Sequence, residues 1–298
     1  MDGRAFGIMG VFFFGMGYSS LATAKAIHDI IAPDVAIAGT TRTEEGVERL
    51  AESPYRLHVF DGLKKGPTLG ADLRSASHVV LSIPPNDSGD PAYNLHRDDL
   101  DAATGLQWLC YYSTVGVYGD FGGQWIDETA PTRPINKRSQ QRVEVEQLWR
   151  DYAAARNLPL LVLRLAGIYG PGRSSFDKLR EGTARRIIKP NQVFNRIHVD
   201  DIGRVSALAA QRKLAGTFNL SDDEPAPPQD LVEYAARLMG APVPPGLPFE
   251  EAEMTPMARS FYADNKRVSS HAIKQALGIE LMYPTYQAGL DAIFRQPA

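Results

Sequence analysis

Val11-Phe12-Phe13-Phe14-Gly15-Met16-Gly17-Tyr18-Ser19-Ser20-Leu21 is the stretch on which the reading of this chain turns. Four apolar residues without alternation suit a strand covered on both faces. Beyond the glycines, Leu21, Ala24, Ile27 and Ile31 recur at helical spacing and mark one apolar face. A strand, a glycine turn and a helix in that order make Gly15-Met16-Gly17-Tyr18-Ser19-Ser20 a GxGxxS version of the dinucleotide fingerprint. Gly15 permits the tight turn, and Gly17 lets the backbone approach a pyrophosphate. The helix start supplies amide hydrogens and the positive end of its dipole. Ser20 stands where a third glycine is common, and it is small enough for close helix–strand packing. A plain glycine-rich turn is the competing reading, and the flanking strand and helix argue against it.

The same opening imitates a secretory signal: Arg4, an apolar run over residues 5–17, then Ala22-Thr23-Ala24 as a small-residue cleavage site. Glycines interrupt that run, and removing it would delete the first strand of the pattern, so we read it as a strand.

Working outward, short apolar runs appear at Val35–Ala38, Leu57–Phe60, His78–Ile83, Trp108–Tyr112 and Leu160–Leu165. Helix-compatible segments lie between them. Val145, Leu148, Trp149 and Tyr152 fall at i, i+3, i+4 and i+7. Alternation of this kind predicts an α/β protein with a Rossmann-type doubly wound parallel sheet. After residue 165 the character changes. Pro and Gly crowd 170–172, 225–228 and 242–248, a helix is expected over 230–239, and one further strand over Thr217–Leu220. The predicted organisation is a dinucleotide-binding domain over 1–165, to which 199–222 returns. A smaller C-terminal α/β lobe for substrate would comprise 166–198 and 223–298.

The end of the second strand bears on the choice of cofactor. NAD-preferring sites place an acid there to hold the ribose hydroxyls. Here Ala38-Gly39-Thr40-Thr41-Arg42-Thr43 has no acid before Glu44. Arg42, about 25 residues after the fingerprint, can grip a 2′-phosphate that an acid would repel. The expectation is therefore NADP rather than NAD, with Thr41 and Arg42 at the 2′-phosphate. Asp61, closing the third strand, could accept from an adenine amino group or simply start a loop.

Composition narrows the rest. The 298-residue chain is 44% hydrophobic and 22% charged, ordinary values for a globular protein. A net charge of −3 lacks the basic excess that nucleic-acid binding usually demands. The single cysteine, Cys110, excludes an internal disulfide and fits a reducing, cytoplasmic setting. No run approaches the ~20 apolar residues of a membrane helix, and no metal site is expected.

Five patterns run in order along the chain: the turn at 15–20, Ser113-Thr114-Val115-Gly116-Val117-Tyr118-Gly119, Arg164-Leu165-Ala166-Gly167-Ile168-Tyr169-Gly170-Pro171-Gly172, Arg196-Ile197-His198-Val199-Asp200-Asp201 and Thr217-Phe218-Asn219-Leu220. In these the chain resembles the extended short-chain dehydrogenase/reductase family, which includes sugar-nucleotide epimerases and dehydratases. Ser82-Ile83-Pro84-Pro85 and Arg259-Ser260-Phe261-Tyr262-Ala263-Asp264-Asn265-Lys266-Arg267 are similar to an atypical bacterial subgroup. The resemblance implies that Ser82 and Pro84 join the cofactor-binding residues. It also implies an oxygen-binding hydroxyl after the fifth strand, here Thr114 with Ser113 beside it, and a Tyr and a Lys at YxxxK spacing.

The chain departs from that last pattern. Counting back from Glu146, the Tyr and Lys positions hold Arg138 and Arg142. Arginine stays protonated in proteins, so Arg138 cannot take a proton as a phenolate would, although Arg142 can still hydrogen-bond a ribose or phosphate. Val115 and Gly116 replace the dehydratases' Asp-Glu pair. Tyr118 and Tyr169 border the expected pocket and could move a proton, but packing with an exposed hydroxyl is the competing role. His198 carries the same two readings, and Cys110 should pack inside its strand. The resemblance thus implies an NAD(P)-dependent oxidoreductase or epimerase acting on a carbonyl or hydroxyl carbon of a small molecule, a sugar nucleotide being one class. A catalytically silent NADP-binding sensor is the alternative. Neither nucleic acid nor membrane is expected as a partner, and a homodimer stays open.

Overall fold

Apolar runs that do not alternate need cover on both faces, and a seven-stranded sheet with flanking helices supplies it. The computed structural model describes residues 9–295. The strands are β1 (Gly10–Phe14), β2 (Ala36–Thr41), β3 (Arg56–Val59), β4 (His78–Leu81), β5 (Trp108–Thr114), β6 (Leu160–Leu165) and β7 (Gly216–Leu220), in the order β7-β6-β5-β4-β1-β2-β3. β1 pairs in parallel with β2 on one side and β4 on the other, Val11 facing Ile37 and His78. The strand order therefore reverses beside β1, the point at which sheets of this kind place their ligand crevice, at the carboxyl ends of the strands.

The chain divides into two compact units. The first comprises the chain up to Ser113, Gln141–Leu163 and Ile202–Thr217. The second comprises Thr114–Gln140, Arg164–Asp201 and Phe218 onward. In the first, one face of the sheet buries Phe12, Phe14, Val79, Leu81, Leu109 and Tyr111 against Val145, Trp149 and Tyr152 of the helix Lys137–Ala155. The apolar stripe read from that helix is thus its buried face. Side chains of the sheet and two helices are also tied by polar contacts. The Tyr112 hydroxyl donates to Ser206 Oγ at 2.8 Å and lies 2.7 Å from Thr23 Oγ1. Gly203 is required where those helices meet, since a Cβ there would stand 2.6 Å from the Ala22 carbonyl oxygen.

Arg4 and residues 5–8 of the signal-like opening lie outside the described residues. From Gly10 onward the run is β1, with Phe12, Phe13 and Phe14 fully buried, and Ala22-Thr23-Ala24 sits inside the helix Tyr18–Ile30. Cys110 is buried in β5. Among the described residues no helix is long and apolar enough to cross a membrane.

The second unit holds more strand than its sequence suggests. Arg196–His198 pairs with Gly167–Tyr169, Gly246–Pro248 with Arg186–Ile188, and Arg267–Val268 with Trp125–Ile126, all in parallel. Pieces of two or three residues leave no periodicity to read. Its helix Pro228–Leu238 packs Leu231 and Ala235 on Phe176, Tyr286 and Leu290. Asp201 fastens the helix Val199–Arg212 by accepting from the Met282 and Tyr283 amides at 2.7 and 3.0 Å.

One group in this unit is held out of balance. Asp222 is 1% exposed, and neither carboxylate oxygen has a hydrogen-bond partner. Burial pushes its carboxyl up to about 8, against the pull of Arg196 and of the nearby Glu224 amide, while Asp223 and Glu224 add to the rise. An unfolded aspartate ionises near pH 3.9. Between that pH and about 8 the folded chain keeps a proton that the unfolded chain has lost, so stability falls as pH rises, by about 1.4 kcal/mol per unit from this group. Asp222→Asn is expected to remove that slope. Melting both proteins from pH 5 to 8 checks it: the variant should gain progressively on the parent as pH rises, and a constant difference would refute the assignment.

Candidate functional site

The turn after β1 lies wholly within the first unit. Gly15 adopts φ +96°, a conformation that L side chains rarely take, and a Cβ there would meet Ile83 Cγ2 at 2.9 Å. Its amide donates to Thr40 Oγ1 at 2.9 Å, and the Met16 amide donates to the Thr40 carbonyl at 2.7 Å. Thr40 therefore pins the turn to the end of β2. This residue was missed in the sequence, where its only signal is a place in the Thr40-Thr41 pair closing the strand.

Gly17 is held to glycine by neither strain nor packing. Its φ is −90°, extended backbone open to any residue, and a Cβ would meet nothing within 4 Å. The residue is exposed, and it caps the helix Tyr18–Ile30 without any side-chain hydrogen bond. The first turn of that helix carries no acid. The space left by the missing side chain therefore lies at the start of the helix, an arrangement that fits an anionic group such as a pyrophosphate. Ser20 is buried and donates to Ser82 Oγ at 2.9 Å, while Ser82 donates to the Gly15 carbonyl at 3.1 Å. Ser20 and Ser82 are therefore braces beneath the turn. Pro84 lies exposed in the loop after β4.

At the end of β2, Thr41 is buried and donates to the Thr43 carbonyl at 2.9 Å, while Arg42 projects exposed. Thr43 caps the next helix, Glu44–Glu48, through its side chain. Asp61 accepts from the Leu63 and Lys64 amides at 2.8 and 3.4 Å, which makes it the start of its own loop. These amides hold its carboxyl below the usual range.

Near the end of β5 the two adjacent hydroxyls divide. Ser113 is buried and donates to Glu146 at 2.5 Å, and Glu146 also takes Arg150 at 2.8 Å. Thr114 is half-buried and accepts from the Gly116 amide at 3.1 Å, capping the turn Val115–Tyr118. Its O–H remains free to donate. Arg142, at the lysine position, donates to Tyr111 Oη at 2.9 Å and to the Tyr112 carbonyl at 2.8 Å, its guanidinium lying over the Tyr111 ring. Those bonds use one nitrogen of a five-hydrogen donor set. Arg138 is exposed and donates to Met257 Sδ at 3.4 Å. Gln141 ties the same helix to the loop after β4, donating to the Asn86 carbonyl and to Asp87 at 3.1 Å each.

Two sequence candidates for proton transfer are otherwise engaged. The Tyr118 hydroxyl is not exposed: it is buried, donates to Asn219 Oδ1 at 2.8 Å and accepts from Arg164 at 2.8 Å. Burial shifts its pKa upward, which disfavours the phenolate. His198 is likewise fully buried between Tyr169 and Tyr283, and its Nδ1 accepts from the Asp200 amide at 3.2 Å. Burial lowers it to about 4, so it stays neutral at neutral pH.

Residues 100–221 match the model of the NAD dependent epimerase/dehydratase family. The solved structure of a functionally unknown conserved protein from Silicibacter pomeroyi is 44% identical, over 96% of this chain and 98% of that one, with a TM-score of 0.85. A 3-diazoavenalumate denitrifying reductase from Streptomyces is 29% identical over 65% of this chain and 67% of its own length. A UDP-glucose 4-epimerase from Corynebacterium glutamicum is 26% identical over 89% of this chain and 88% of its own.

The empty space at Gly17 gives the first test of the turn. Gly17→Val should leave the circular dichroism spectrum and melting temperature nearly unchanged, because the backbone and surroundings accept a side chain. It should abolish binding of NADPH and NADH in calorimetric titration, and retained binding by a folded variant would place the dinucleotide elsewhere.

Proposed function

Because the chain belongs to the NAD-dependent epimerase/dehydratase family, we propose that it binds NADP at the glycine turn of the first unit and acts on a carbonyl or hydroxyl carbon of a small molecule. One observation carries this reading: an uncapped helix start beside a glycine whose missing side chain leaves open space. When bound, the cofactor supplies hydride chemistry. The protein's own contribution is to bind, orient and polarise.

In this reading the Tyr18–Ser20 amides hold the pyrophosphate, and Arg42 holds the 2′-phosphate. Thr114 donates to the substrate oxygen, while one of its two lone pairs accepts from the Gly116 amide. Arg142 takes the ribose-holding place of the family's lysine with the guanidinium hydrogens not used on Tyr111 and Tyr112. Ser113, spent on Glu146, fixes the strand end. No phenol stands at the tyrosine position, so a proton needed at the substrate oxygen is exchanged with water. The 3-diazoavenalumate denitrifying reductase and the UDP-glucose 4-epimerase among the relatives support reduction and epimerisation as reaction types to screen, and we add sugar nucleotides and small carbonyl compounds as substrates to try. A second reading, an NADP-binding sensor without turnover, is favoured by one observation: both members of the family's Tyr–Lys pair are arginines.

The cofactor assignment predicts that NADPH binds more tightly than NADH. Arg42→Ala should remove most of that difference, a loss of about ten- to hundredfold for one charge-assisted phosphate contact. Calorimetric titration of both cofactors against both proteins measures it, and equal affinities in the unmutated chain would end the assignment.

The catalytic assignment predicts that Thr114→Val lowers turnover about 10²–10³-fold, as removal of one oxyanion donor does. Arg138→Lys, which keeps the charge, should cost far less. Both are read as kcat on a substrate found by screening with NADPH. An active Thr114→Val beside an inactive Arg138→Lys would transfer the oxygen-binding role to the arginine.

A further inference from the structure

Gly116 stands between two hydroxyls of the second unit. A Cβ built on it would lie 3.2 Å from Ser139 Oγ and 3.4 Å from Thr114 Oγ1. All three residues belong to that unit. Gly116 does not adopt positive φ, so its backbone would accept a side chain, and the space beside it is what the glycine preserves. Gly116 and Thr114 are half-buried, so solvent reaches this spot.

Ser139 is the member of the pair that has no role so far. It lies in the first turn of the helix Lys137–Ala155 and is 7% exposed. Its amide donates to Asn136 Oδ1 at 2.9 Å, but its hydroxyl has no hydrogen-bond partner among the described residues. Its Oγ is not one of the sealed, partnerless atoms of the unit, so it is not closed off from a ligand. A hydroxyl that is nearly buried and satisfied by no neighbour gains by bonding a ligand. Thr114 flanks the same space with its own O–H free, while its Oγ1 accepts from the Gly116 amide at 3.1 Å.

Hydroxyls can donate or accept, so charge decides what this pair holds. Lys137 and Arg138 precede Ser139, and the first turn of the helix carries no acid. Arg138 is exposed and forms no ion pair among the described residues. The positive end of the helix dipole adds to these cations. Two O–H donors in such a field favour an oxygen that carries negative charge over a cation.

On the reading of Thr114 as an oxygen-binding hydroxyl, we propose that Ser139 is a second oxygen-binding residue: the two hydroxyls together hold a substrate oxygen beside Gly116 as negative charge develops on it. Two donors then polarise the reacting carbon where the chain lacks a tyrosine at position 138.

4-Nitrophenol tests this without turnover, because it ionises near neutral pH and changes its absorbance when it does. The full chain is titrated with it from acid to alkaline pH in the presence of oxidised NADP. The bound phenol should ionise at lower pH than the free one. Ser139→Ala should weaken phenolate binding at least about tenfold, the effect of one lost hydrogen bond to a charged group. Binding of neutral 4-nitroanisole should stay as it was. Gly116→Ala should weaken phenolate binding as well, because its methyl group crowds both hydroxyls. Ser139→Ala, which favours the helix, decides alone if Gly116→Ala does not fold. With a substrate found by screening, Ser139→Ala should lower kcat about 10²–10³-fold and leave KM nearly unchanged. Calorimetric titration should give the same NADPH affinity for the parent and Ser139→Ala. A parent that fails to bind NADPH would end the dinucleotide reading and leave the phenolate result standing. The proposal is overturned if the parent binds no phenolate, or if either folded variant binds it as tightly as the parent.

Discussion

The amide of Gly15, held to Thr40 Oγ1 while the residue sits at φ +96°, is the contact on which the rest of the first unit depends. It turns the chain sharply off the buried end of β1 and launches the helix Tyr18–Ile30. The turn is braced from below by the relay from Ser20 to Ser82 to the Gly15 carbonyl, and from the side by the Met16 amide on Thr40. β2 and β4 flank β1 in the sheet, so these braces hold the turn from both neighbours at once. A backbone loop held in this way can present a helix start in one fixed orientation, which a flexible loop could do only at an entropic cost.

The two sides of the sheet are held by different physics. One relies on apolar burial, with a T-shaped cluster of Tyr93, Trp149 and Tyr152 closing beneath the helix Lys137–Ala155. The other adds buried hydroxyls, where Tyr112 meets Thr23 and Ser206. Gly203 lets the two helices bearing those hydroxyls come together backbone to backbone. Such hydroxyl contacts contribute little net energy each, but they are directional and fix one arrangement among many that burial alone would tolerate.

The arginines at the family's Tyr and Lys positions have separate fates. Arg142 is drawn onto Tyr111 and the Tyr112 carbonyl, and so fastens its helix to β5. Arg138, one turn earlier, stays exposed. Adjacent hydroxyls diverge in the same way: Ser113 is committed to a buried glutamate, and Thr114 keeps a free hydrogen. The hydrogen-bonding capacity left at this strand end is therefore set by what the neighbouring groups consume.

The parallel sheet, the turn after β1 and the main helix faces were legible in the sequence, because burial on both faces writes continuous apolar runs and a tight turn demands glycine. The places of Arg42 just after β2 and of Thr114 at the end of β5 were likewise legible. The sequence could not separate Gly17 from Gly15. Only the structure shows that backbone geometry and packing demand glycine at Gly15 and not at Gly17. Nor could it foresee that Asp61 caps its own loop, that the Tyr118 hydroxyl is consumed by Asn219 and Arg164, or that strands of two or three residues pair in the second unit. Periodicity and turn chemistry are local and survive in one dimension. Which hydrogen bond each polar atom makes depends on residues far away along the chain, and tertiary structure alone decides it.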